Sequence, residues 1–81
     1  MRITVRLFAA LAEAAGARSL TLELEPGSRA ADVRYQLAER FPKIRGLCDR
    51  AALAVNAEYT DAGRVLHDED EVALIPPVSG G

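Results

Sequence analysis

At 81 residues the chain has room for one domain and one core, and too little depth for an enclosed active site of its own. Hydrophobic residues at 49% and charged residues at 27% exclude a disordered chain. The formal net charge of −2 carries no block of like charge along the sequence, which excludes the basic footprint of a nucleic-acid binder.

In chain order, Arg2 to Leu7 alternates Ile3, Val5 and Leu7 with Arg2, Thr4 and Arg6, the pattern of a half-buried strand. The alanine-rich stretch Phe8 to Ala15 places Leu7, Leu11 and Ala14 or Ala15 at helical spacing before Gly16, a suitable left-handed terminator. "SLTLELEPG" reads as a second strand through Leu20, Leu22 and Leu24, ended by Pro26-Gly27. Ser28 is the expected cap of a longer helix carrying Ala30, Val33, Leu37 and Phe41 on one face, stopped by Pro42. A loop is expected around Gly46, then a strand "ALAVN", a turn through "NAEYT", and a short extended piece near Val65-Leu66. The acidic run His67 to Glu71 makes a further loop, and "EVALI" is the last strand. Its two faces are both largely apolar, which predicts a central, covered strand. Strand, short helix, strand, long helix, strand, strand is the order of an α+β sheet with one helix packed across it, the last strand inserting beside the first.

Cys48 is the only cysteine, so no internal disulfide forms and a reducing compartment fits. A small buried thiol is the simplest reading of it, the mixed charges of Asp49 and Arg50 giving little reason for a nucleophile. His67 has no second His or Cys at ligand spacing and reads as a solvated loop residue. Asp68 to Glu71 reads as a solvated turn, and no metal site is expected. The apolar start of the chain is broken by Arg6 and Glu13, unlike a signal peptide, and no run approaches the ~18 residues of a membrane span. No GxxxxGK[ST] loop is present, so any nucleotide chemistry needs another protein.

The segment that does not pack is "PPVSGG". A domain at 1–76 and a C-terminal tail at 77–81 are expected. Prolines bias such a tail toward an extended form, and five residues reach roughly 16 Å. Glycines without Cβ fit a narrow channel and accept the backbone angles it dictates. The chemical group offered is a carboxylate, which must be activated before it holds sulfur or forms an amide.

The "ITVRLFAALAE" start, "LAVNAEY" and "DEVALIPPVSGG" resemble the small subunit of molybdopterin synthase, a ubiquitin-like sulfur carrier of the β-grasp fold, over essentially the whole chain. The resemblance implies a mixed sheet of four to five strands. It implies adenylation of the Gly81 carboxylate by a ubiquitin-activator-like adenylyltransferase that uses ATP, this chain binding no cofactor. Conversion to a thiocarboxylate follows, then sulfur transfer to cyclic pyranopterin monophosphate. Pro76, Pro77, Val78, Ser79 and Gly80 would thread a partner's channel. Phe8, Tyr59 and Ile75 match the family's docking surface, although Phe8 and Ile75 equally suit a core. Implied partners are the large synthase subunit, in a heterotetramer of two small and two large subunits, and the activating enzyme. A cytoplasmic location and no membrane or nucleic-acid partner accompany this reading. The catalytic side chains belong to the large subunit, so this chain is a sulfur donor and not itself an enzyme. Two family glycines are replaced, by Ala57 in the hairpin and by Glu69 before the last strand, which leaves the turn geometry open. A carrier for thiazole, cysteine or tRNA thiolation, a modifier joined to lysines, and a plain binding module are the competing readings.

Overall fold

Five strands form one mixed sheet in the order β2-β1-β5-β3-β4, and this computed structural model describes residues 1–77. The expected tail residues Val78, Ser79, Gly80 and Gly81 lie outside the described residues. The strands are β1 (Arg2–Leu7), β2 (Ser19–Glu23), β3 (Ala52–Val55), β4 (Glu58–Thr60) and β5 (Glu71–Ile75). The helices are α1 (Ala9–Ala15), α2 (Ala30–Arg40) and α3 (Arg45–Arg50), with a 3₁₀ turn over Pro42–Ile44.

β1 pairs antiparallel with β2 (Ile3 opposite Leu22) and parallel with β5 (Val5 opposite Val72). β5 pairs antiparallel with β3 on its other edge, Leu74 facing Leu53. This is the inserted central strand that the pattern predicts. Strand alternation decides the core: Ile3, Val5, Leu22, Leu53, Val55, Val72 and Leu74 point inward and are buried. Leu11, Val33, Leu37, Ile44 and Cys48 close that side from the helices. Among the described residues no polar or charged residue is fully buried, so the core is held by apolar burial at about 25 cal/mol per Å².

α1 stops at Gly16, whose φ of 73° is left-handed and whose N–H donates to Ala12 O at 2.9 Å. Leu11 is buried and Ala15 half-buried, while Ala14 is exposed.

Four local expectations are corrected. Ser28 does not cap α2: its backbone is engaged with Glu25 and Leu66 (3.1 and 2.8 Å). The cap falls on Arg29, extended by a bridge to Val65, and the Asp32 carboxylate accepts the Arg29 N–H at 2.7 Å. The region around Gly46 is not a loop but the 3₁₀ turn and α3. Its stripe Ile44, Leu47, Cys48 and Ala51 has helical spacing and packs on the core. "NAEYT" turns only at Asn56-Ala57, and Glu58–Thr60 is strand β4, pairing Tyr59 with Ala54. Finally, β5 is central but covered on one face alone. Val72 and Leu74 are buried, whereas Glu71, Ala73 and Ile75 are half-buried on the face that no helix covers.

Candidate docking face and tail exit

The uncovered face is built by the outward residues of each strand. Across it the register sets Tyr59, Ala54, Ala73, Arg6 and Ser19 side by side. The row changes character along its length. On β2 and β1 it is polar, with Ser19, Thr21, Glu23, Arg2 and Thr4; on β5, β3 and β4 it is mainly apolar, with Ala73, Ile75, Ala54 and Tyr59, Glu71 at the start of β5 being the charged exception. An apolar half-face next to a polar half-face has the makeup of a contact surface with a rim.

Phe8 joins the apolar half from the end of β1. The chain turns there through Ala9, whose φ of 50° is left-handed. The Arg6 guanidinium lies 5.9 Å from the Phe8 ring centroid, a cation–π contact, and 4.0 Å from the Glu71 carboxylate. That exposed ion pair contributes at most about 1 kcal/mol. Phe8 and Tyr59 are 40% and 75% exposed, and Ile75 is half-buried. All three border one depression of about 270 Å³, opened by the small side chains Ala54 and Ala73. The structure therefore brings together the three residues that the sequence groups. It adds Arg6, Ala54 and Ala73; of these only Ala73 had a sequence signal, the apolar outer register of "EVALI". Phe8 and Ile75 are not core.

β5 ends beside this depression. Ile75 opposes Ala52, Pro76 is half-buried and Pro77 exposed. β5 anchors that exit firmly, since both of its edges are hydrogen-bonded. Its entry is also fixed. Asp70 accepts the His67 N–H at 2.8 Å and the Asn56 side-chain amide at 2.9 Å, and Asn56 Oδ1 accepts the Glu71 N–H at 3.0 Å. Partial burial works against the Asp70 charge, but these donors outweigh it and hold the carboxyl below the usual carboxylate range. The bends flanking the entry carry left-handed φ at Ala57 (70°) and Glu69 (72°). The glycine conformation is thus kept where the glycine is not.

The remaining chemistry is sparse. Burial pushes the Cys48 thiol up, Asp49 adds to this, and Arg34 offsets part of it; such a thiol is inert. Among the described residues no cluster of His, Cys, Asp and Glu is arranged to hold a metal, and no helix is long and apolar enough to cross a membrane. A wider hollow of about 840 Å³ lies at the other end of the sheet between Met1, Pro26, Val65 and His67. It is open and removed from the exit by the length of β5.

A model of the ThiS family matches residues 5–81. The molybdopterin synthase sulfur carrier subunit of Arabidopsis thaliana is 37% identical over 81 residues, covering 100% of this chain and 84% of that one. Small archaeal modifier protein 1 of Haloferax volcanii is 32% identical over 84 residues, covering 94% and 97%. The crystal structure of SAMP1 from Haloferax volcanii superposes with a TM-score of 0.87 at 29% identity, covering 100% of both chains. In fold and in sequence over nearly its whole length, the chain is a ubiquitin-like β-grasp protein and belongs to the ThiS family.

Proposed function

We propose that the chain is a sulfur carrier, the small subunit of a molybdopterin synthase, and that Gly81 carries the reactive group. In this reading a carboxylate oxygen of Gly81 attacks the α-phosphorus of ATP on a separate activating enzyme, and pyrophosphate leaves. A sulfur nucleophile then displaces AMP from the acyl adenylate and leaves a thiocarboxylate. The tail enters the large synthase subunit and delivers its sulfur to cyclic pyranopterin monophosphate. ATP belongs to the activating enzyme and the catalytic side chains to the large subunit.

The observation that carries the reading is the position of β5. The strand leading into residues 76–81 is the central one, and the apolar half-face adjoins its exit. Phe8, Tyr59 and Ile75 dock the partner, Pro76 and Pro77 direct the segment outward, and Val78, Ser79 and Gly80 thread the channel. Relatives named as the sulfur carrier subunit of molybdopterin synthase support the assignment.

The test is intact-mass measurement after incubation with ATP, a sulfide source and the activating enzyme. The expected gain corresponds to one oxygen exchanged for sulfur, and it is lost when Gly81 is deleted. No gain with a demonstrably active enzyme overturns the proposal. The match to a small archaeal modifier protein favours one second reading, attachment of the same activated carboxylate to lysine amines. Isopeptide-linked conjugates in the source cell, without a thiocarboxylate, decide for it.

A further inference from the structure

The charges of this chain are interspersed in the sequence but separate in the fold. Three contacts mark the tail-exit half: Leu7 N–H donates to Arg18 O at 2.9 Å, Ala52 opposes Ile75, and Arg34 Nη2 donates to Ala51 O at 2.7 Å. Arg6, Arg18 and Arg34 therefore belong to that half. Arg40 at the end of α2, Lys43 in the 3₁₀ turn, and Arg45 and Arg50 on α3 join them. Only Glu13, Glu39 and Asp49 oppose them there. Seven of the ten cations against three of the twelve carboxylates leave four positive charges in excess. The other half holds Arg2, Arg29 and Arg64 with the remaining nine carboxylates, six negative charges in excess. Its acidic concentration lies where β5 begins, at Asp68, Glu69, Asp70 and Glu71.

Two features make this separation usable. The halves meet at the Arg6–Glu71 pair, but the five residues of β5, at about 3.3 Å each, carry the exit roughly 17 Å from the acidic cluster at the strand's start. That is about twice the Debye length of ~8 Å at physiological ionic strength, so an approaching surface meets one half at a time. In addition, the positive half is not internally neutralised. Among the described residues, of its seven cations only Arg6 has a carboxylate within 4.0 Å. Arg40, Lys43, Arg45 and Arg50 are exposed and keep their charge for a partner.

We propose that this charge separation steers the chain tail-first onto the activating enzyme, whose tail-receiving channel is rimmed by carboxylates. The inference rests on the reading that the tail enters such an enzyme. A rim confined to the channel mouth meets only the positive half. An extended polyanion would also reach the acidic half and be repelled, so a protein rim suits the arrangement better. Steering of this kind raises the association rate and fades with salt.

Two double variants that change net charge equally test it: R40Q/R45Q in the positive half and R2Q/R64Q in the negative half. Association rates with the activating enzyme are measured by stopped flow at about 20 mM and about 500 mM salt. R40Q/R45Q is expected to associate about 3- to 10-fold more slowly at low salt and to match wild type at high salt. R2Q/R64Q is expected to be as fast as wild type or faster. Equal slowing of both variants, or no slowing of R40Q/R45Q, overturns the inference. Endpoint mass spectra separate this from the carrier reading. Sulfur gained at rates indifferent to both variants sinks the steering alone. Steered association without sulfur gain sinks the carrier chemistry alone. A wild-type chain that does not bind the enzyme sinks both.

Discussion

Ala57 is the sharpest place to test how the backbone is strained. The β3–β4 hairpin turns through Asn56 and Ala57 at φ of 50° and 70°. Asparagine tolerates this region, but the alanine Cβ crowds the carbonyl and costs about 1–2 kcal/mol. Glycine removes that crowding and forfeits up to about 1 kcal/mol through its freer unfolded chain. The net for Ala57→Gly is a gain of about 0.5–1 kcal/mol, or roughly 3–6 °C in Tm for a domain of this size. The hydrogen bonds of Asn56 to Asp70 and Glu71 do not involve Ala57 and should persist. Urea unfolding followed by far-UV circular dichroism measures the gain as a higher midpoint at unchanged slope. A bulkier Ala57→Val must move the midpoint the other way. If Ala57→Gly leaves the midpoint where it was or lowers it, the strain argument fails.

Glu69→Gly, at φ of 72°, should raise the midpoint by a similar increment in the same assay, and because Asn56 and Asp70 join the two bends the double variant with Ala57→Gly reads any coupling between them. Asp70→Asn is expected to cost about 1–2 kcal/mol at neutral pH, since an amide oxygen accepts fewer bonds than the carboxylate that serves His67 and Asn56. The sign with pH follows from the lowered folded value. Wild type holds this contribution above the unfolded Asp value and loses it as pH falls through the folded one, whereas Asp70→Asn lacks that limb in acid titrations of stability. Cys48, 0% exposed with its thiol pushed up, should be alkylated only as fast as the chain opens; labelling that outpaces hydrogen exchange of core amides refutes its burial. Tyr59→Ala should change stability by less than about 1 kcal/mol by urea unfolding yet weaken binding to a large synthase subunit at least about tenfold by titration calorimetry.

Much of the fold was legible because the first two strands announce themselves by alternation, Ile3, Val5 and Leu7, then Leu20, Leu22 and Leu24, and the last by a short apolar run. The long helix was legible through Ala30, Val33 and Leu37. What was missed has physical reasons. Gly46 suggested a loop because glycine weakens a helix, but the burial of Ile44, Leu47 and Cys48 outweighs one poor helix former. Glu58–Thr60 is only three residues long, too short for alternation to show, and it exists because Tyr59 pairs with Ala54. Ser28 is a better intrinsic cap than Arg29, but the Arg29–Val65 bridge fixes where the helix begins. In the candidate site, the grouping of Phe8, Tyr59 and Ile75 rested on the family resemblance. Alternation alone read "EVALI" as buried on both sides, because an apolar face kept for a partner has the same composition as one kept for a core.

That ambiguity points to why the tail is attached to β5. A tail continuing an edge strand would be held by one ladder, and an incoming chain could extend the sheet beside it. β5 has no free edge: it is paired at Thr4 to Leu7 on one side and at Ala52 to Val55 on the other. A partner is left with its outer side chains, Ala73 and Ile75, and with the neighbours Tyr59 and Phe8. Among the described residues the sheet's edges are β2 and the three-residue β4, so strand addition at β5 itself is closed and the proposed docking there relies on side-chain surface. Two ladders must also break before any pull on the tail displaces its base. The same strand can therefore line the core with Val72 and Leu74, offer its outer face for docking, and fix the point from which the proposed carrier segment starts.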